Sequence, residues 1–159
     1  MNIGYVLDGP GWATATVVVG GTGAVMSVSH LHDSLGELAS ATLELCTGGA
    51  EATVVFMDEP GEHHLVLCRI GDALAVEVRW FDDWASWDIY PPDRYRVVLS
   101  GVCTFAVFRD QVVGALDRVL AEFGVAGYRT TWGENDFPWA AFEGIKHAEP
   151  RAAADGGGG

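Results

Sequence analysis

The chain has 159 residues, of which 49% are hydrophobic and 19% charged, and a formal net charge of −13. That length can bury a substantial core, and the composition lies far from the disordered regime. With nine Lys and Arg against 22 Asp and Glu, nucleic acid and anionic membrane are excluded as partners, since cations hold both. A basic protein is the partner that such a charge would steer.

In chain order, the first thirty residues read as strands. "IGYVL", "WATATVVVG" and "AVMSVSH" are separated by the turns "DGPG" and "GTG". Ala13, Ala15, Val17 and Val19 alternate with Thr14, Thr16 and Val18, a period of two. A helix follows in "HDSLGELASATLELCTGG", where Ser34 and Glu37 have capping-box spacing and Asp33 is a rival cap. Leu35, Leu38, Thr42 and Leu45 mark its buried face, and Gly48–Gly49 end it.

"ATVVFMDEPGEHHLVLCRIGDALAVEVRWF" then reads as three strands joined by "EPGE" and "GD". In the third, Leu74, Val76, Val78 and Trp80 point inward, while Glu77 and Arg79 point outward. "RYRVVLSGVCTF" gives a further strand behind Pro91–Pro92. "FRDQVVGALDRVLAEFG" is a helix with Val113, Leu116, Leu120 and Phe123 on one face, stopped by Gly124. "ENDFPWAAFEGIKH" is a short helix with Asp136 as cap, Pro138 in the first turn, and Trp139, Phe142 and Ile145 buried.

This order predicts a single α+β domain over 1–150. A mostly antiparallel sheet of six to seven strands would carry two main helices and a short C-terminal helix, with a disordered tail over 151–159. Cys46, Cys68 and Cys103 are odd in number and widely spaced, which suits reduced thiols. "MNIGYVLDGPGW" has no basic start or long apolar core, and no run is long enough to span a membrane. A cytoplasmic location is therefore expected.

No catalytic motif stands out. "HLHD" offers His30, His32 and Asp33, and "EPGEHH" offers Glu59, Glu62, His63 and His64, but neither has a zinc spacing. Strand-end histidines are the simpler reading, so no metal, cofactor or catalytic residue is expected. "GGTGAVMS" lacks the lysine of a phosphate loop and leads into a strand.

The distinctive stretch is "RWFDDWASWDIYPPDRYR". From Asp58 to Asp93 nine acids face two bases, Arg69 and Arg79, so this segment holds −7 of the total charge. If "DDWASWD" forms a helical turn capped by Asp82 or Asp83, Trp84 and Trp87 share one side among carboxylates. Indole faces beside acids suit a cation from a ligand or a partner's Arg or Lys. The expected partner face is Asp82, Asp83, Trp84, Trp87, Asp88 and Tyr90. The structural alternative folds the two indoles over Trp132 or Trp139.

Together "EPGE", "WFDDW", the amphipathic helix and "GYRTTWGENDFPWAAFEGI" resemble small uncharacterised α+β proteins of high-GC actinobacteria, some of which look like immunity proteins of polymorphic-toxin systems. The resemblance covers roughly residues 27 to 147, leaves the N-terminal meander outside the pattern, and carries over no functional residue. It implies a non-enzymatic, immunity-like inhibitor of a basic protein. Three further readings remain open. One is a small-molecule or cofactor-binding domain with an apolar pocket lined by Trp132, Trp139 and Phe142; a second is an enzyme, which a metal near His30 and His32 would promote; the third is a homodimer formed through strand edges.

Overall fold

The computed structural model describes residues 1–133 and 135–148; the tail expected at 151–159 lies outside them. Its order is β1 (Asn2–Gly9), β2 (Trp12–Val19), β3 (Thr22–Ser29), α1 (Ser34–Cys46), β4 (Glu51–Met57), β5 (Glu62–Ile70), β6 (Ala73–Phe81), a 3₁₀ turn (Ala85–Trp87), β7 (Arg96–Thr104), α2 (Phe105–Trp132) and α3 (Trp139–His147). The α+β class and the seven antiparallel strands match expectation, but they form two sheets, β1-β2-β3 and β4-β5-β6-β7. Each sheet is a meander of neighbouring hairpins, which the local turns dictate. Whether β3 joins β4 is decided by the helix between them. Here α1 packs against β4, and Glu37 Oε2 accepts the Val55 N–H at 2.6 Å.

Both sheets bury one face. Ile3, Tyr5, Leu7, Ala15, Val17, Met26 and Val28 of the first meet Val54, Leu65, Leu67, Val76, Val78 and Leu99 of the second in one core with the helices. The sheets are in close contact where Val19 lies under Gly101. An added Cβ there would stand 2.8 Å from the valine Cγ1.

The α1 start is set by Asp33 rather than Ser34, its carboxylate accepting the Gly36 N–H at 3.2 Å. Leu35, Leu38, Thr42 and Leu45 are buried as the spacing predicts. Each of the three leucines contributes about 1.5–3 kcal/mol by leaving water.

Two expectations change in the C-terminal third. Gly124 (φ 64) breaks α2 without ending it, and helix resumes to Trp132. The second piece buries Tyr128 and Trp132 completely, and that burial outweighs the glycine's preference for stopping. In α3, Asp136 does not cap; it pairs with Arg129 at 3.0 Å. Phe142 and Ile145 are buried, but Trp139 is exposed, because Phe137 takes the core position and stacks edge-on against Tyr128 and Phe142. Among the described residues, no helix is long and apolar enough to cross a membrane.

Candidate functional site

The β4–β5 turn and the segment between β6 and β7 meet at one end of the second sheet. Strand alternation decides which side chains arrive there. Glu62 pairs with Phe81, and His64 with Arg79, on the outer face, whereas His63 pairs with Trp80 on the inner face. The turn closes with the Asp58 N–H donating to the Gly61 carbonyl at 2.8 Å. Gly61 has φ +93, and the Trp80 ring lies where its Cβ would be, 2.4 Å from Cη2. Glycine is required there both for the backbone angle and for the indole.

After Phe81 the chain folds back over the outer face, anchored on Glu62. This carboxylate is completely buried and accepts the Ser86 N–H at 2.7 Å, the Ser86 hydroxyl at 2.6 Å and His64 Nε2 at 2.6 Å. Burial pushes the Glu62 carboxyl up, but the hydrogen bonds from His64 and Ser86 outweigh it and hold the group below its ordinary range. His64 stacks on Phe81 at 4.3 Å, Tyr95 covers Phe81 at 5.5 Å, and Arg79 lies over the Tyr95 ring at 4.4 Å. On the inner side His63 packs on Trp80 at 4.6 Å, and burial pushes its pKa down to about 4.

Pinned this way, the segment presents its tryptophans. The 3₁₀ turn brings Trp84 and Trp87 to 4.9 Å in an edge-on pair. Neither acid caps the turn with its side chain in the expected manner; Asp83 Oδ1 accepts the Trp84 N–H at 2.8 Å instead. Trp84 is half-buried and donates its indole N–H to the Asp58 carbonyl at 2.8 Å. Trp87 is 46% exposed. Thus Trp84 anchors on the β4–β5 turn and Trp87 lies beside it at the surface, and neither indole stacks on Trp132 or Trp139. Asp88 is exposed in the left-handed conformation (φ 59), which aspartate tolerates. Ile89 beside it is also exposed.

Asp82 is exposed, accepts the Trp80 indole N–H at 2.8 Å, and lies 3.5 Å from the Tyr90 hydroxyl. The structure therefore brings Asp82, Tyr90 and Trp80 together around a 200 Å³ hollow whose other walls are Arg94, Tyr95 and Arg96. Those arginines temper the acidic picture. Arg96 stands 4.0 Å from Asp82, and between residues 58 and 96 the nine acids face four arginines. The patch is an acidic and aromatic rim with two guanidinium groups at one side.

The remaining candidates lie elsewhere. His32 Nε2 bonds Glu37 at 2.8 Å, which raises the His32 pKa against the opposing effect of burial, and His30 is exposed beside Gly11. Among the described residues no three His, Cys, Asp or Glu side chains are grouped to hold a metal. The cysteines are free and half-buried, and burial raises the Cys46 and Cys103 thiols. Trp132 and Phe142 sit in the core and Trp139 on the surface.

The Glu62–His64–Ser86 anchor is what a reading of the sequence missed. Its signal was present, since Glu62 and His64 stand two apart in a strand and share a face. Nothing local says that Ser86, 24 positions on, closes on them. Family models, curated proteins and solved structures were compared with the chain, and none matches.

Proposed function

We propose that the chain is a non-enzymatic binding protein that docks a basic protein partner on the Trp87 corner, in the manner of an immunity-like inhibitor. The observation that carries this reading is the division of labour within the tryptophan pair. Trp84 is committed to the fold through its bond to Asp58, and Trp87 is held beside it with nearly half its surface in water. An aromatic ring fixed by its surroundings, left exposed, and followed directly by Asp88 has the character of a binding hot spot for Arg or Lys. The chain's net −13 supplies long-range steering.

The test is capture from a lysate of the source organism with immobilised wild type and with Trp87→Ala, at low and high salt. Trp87 makes no hydrogen bond among the described residues, so the variant keeps the fold, which circular dichroism checks. A basic protein retained by wild type, released by salt, and bound at least about tenfold more weakly by Trp87→Ala is the expected result. The same proteins held equally by both forms would sink the reading.

A second reading, a small-molecule binding domain, has one observation in its favour. Tyr5 Oη, Ser34 Oγ, Tyr128 Oη and Trp132 Nε1 are buried without a hydrogen-bond partner. The Tyr5 and Trp132 rings meet edge-on at 6.1 Å. Burial raises both tyrosine hydroxyls, with a smaller contribution from the Asp33 carboxylate. Each orphaned group costs about 1–3 kcal/mol, which a polar ligand or ordered water would recover. Native mass spectrometry of the purified chain decides between them: a co-purifying small molecule favours this reading, and the bare mass removes it.

A further inference from the structure

Two sheets have four outer edges, and three are closed by the chain itself. The β1 edge is capped from α2, where Gln111 accepts the Ile3 N–H at 3.2 Å and Arg118 donates to the Ile3 carbonyl at 2.9 Å. The β4 edge is capped from α1 by Glu37. The β3 edge runs beside β4, and its last residue, Ser29, donates to Glu59 of the β4–β5 turn at 2.5 Å. The fourth edge belongs to β7, which is hydrogen-bonded on one side only, to β6. No comparable cap lies on it among the described residues.

Nor does the β7 sequence guard it. Natural edges are blunted by lysines, prolines, inward charges and bulges. "RVVLSGVCT" has a single charge, at its first residue, and its one bulge lies at the same end, so 99–104 is regular strand. Val97 and Val102 are 50% and 67% exposed. Val102 also borders an open 430 Å³ trough across the outer face, with Val66, Cys68 and Ala75 as further walls. In a chain of net charge −13, residues 96–104 contain no acid at all.

We infer that β7 is a dimerisation edge, through which two copies pair antiparallel and join their four-stranded sheets into one. The occupant is a second copy because the edge is complementary to itself. A two-fold axis at Ser100 brings Val98 of each copy, the residue at the bulge, beside Val102 of the other, apolar beside apolar. The same axis carries each Arg96 to the far end of the other copy's strand. Asp72 stands next to that end on the β6 side, its carbonyl accepting the Phe105 N–H at 2.8 Å, so the arginine side chain reaches it across the end of β7. Arg96 is 73% exposed in its side chain and Asp72 is exposed, so both are available. Two such acidic molecules repel over most of their surface, and an acid-free edge ending in one Arg is where they can approach. The interface is isologous and closes, so it does not propagate into a fibre.

Sedimentation equilibrium on the full chain, across roughly a hundredfold range of micromolar concentration, tests this. Wild type is expected to be a dimer at the upper end. Val102→Lys, on an exposed side chain, weakens the dimer at least about tenfold. Val25→Lys, equally exposed on the first sheet, leaves it unchanged and controls for added charge. Arg96→Asp weakens the dimer, and adding Asp72→Arg restores it. A wild type that stays monomeric throughout, or a dimer insensitive to Val102→Lys, overturns the inference. A folded Arg96→Asp protein that Asp72→Arg fails to rescue overturns the antiparallel pairing.

Discussion

Glu62 is the residue on which the corner depends. A carboxylate with no solvent exposure is tolerated only when its charge is compensated, and here three donors supply that. Glu62→Gln keeps the shape but removes the charge, and its amide NH₂ faces donors. The expected loss is about 2–3 kcal/mol, read as a lower denaturation midpoint. The pH dependence has a definite sign. The folded-state pKa lies below the ordinary glutamate value, so the carboxylate's stabilisation is fully present above the unfolded pKa. It is lost as pH falls through the folded pKa. Wild type therefore loses stability below about pH 4.5 more steeply than Glu62→Gln does, and parallel acid profiles of the two would contradict this assignment. His63, pushed down to about 4 by burial, also favours the folded state at higher pH. Its contribution falls away between pH 6.5 and 4 in both proteins, so it cancels in the comparison.

At the scale of elements, the Gly61 turn sets where Trp80 and the following segment go. An alanine there carries φ +93 and a Cβ only 2.4 Å from the Trp80 ring. The expected cost is about 2–3 kcal/mol, from backbone strain and a displaced indole together. Urea titration should show a lower midpoint with unchanged slope, and a midpoint equal to that of wild type would mean the turn relaxes freely. Much of this level was legible in the sequence. The strands follow from period-two alternation around glycine turns, and α1 follows from Leu35, Leu38, Thr42 and Leu45. Every hairpin is a local event, readable from the residues that make it. The division into two sheets was not legible, because it depends on how α1 packs against β4, through contacts such as Glu37 to Val55, 18 positions apart. The continuation of α2 past Gly124 was hidden for a similar reason. The burial of Tyr128 and Trp132 against β1 decides it, and a glycine read alone says stop. Trp139 and Phe137 show the limit from the other side. Both are aromatic and two apart, and only the packed core selects which one is buried.

At the scale of the whole molecule, the two proposed associations respond to salt with opposite signs. The basic partner is drawn by the net charge of −13, so its attraction is screened as the Debye length shrinks from about 10 Å at 0.1 M to about 3 Å at 1 M. Two copies of this chain carry like charges, so the same screening removes a repulsion. The Arg96 to Asp72 contacts proposed for the dimer are exposed pairs worth about 0–1 kcal/mol each, too little to reverse that trend. Raising salt is therefore expected to weaken partner binding at least about tenfold while leaving the dimer as tight or tighter. Arg96 belongs to both neighbourhoods, since it lines the hollow beside Asp82 and begins β7. Titrating partner and dimer on one preparation at two salt concentrations reads both equilibria. A dimer that loosens with salt in step with the partner would mean that a shared acidic–basic contact, and not an acid-free strand edge, holds the copies together.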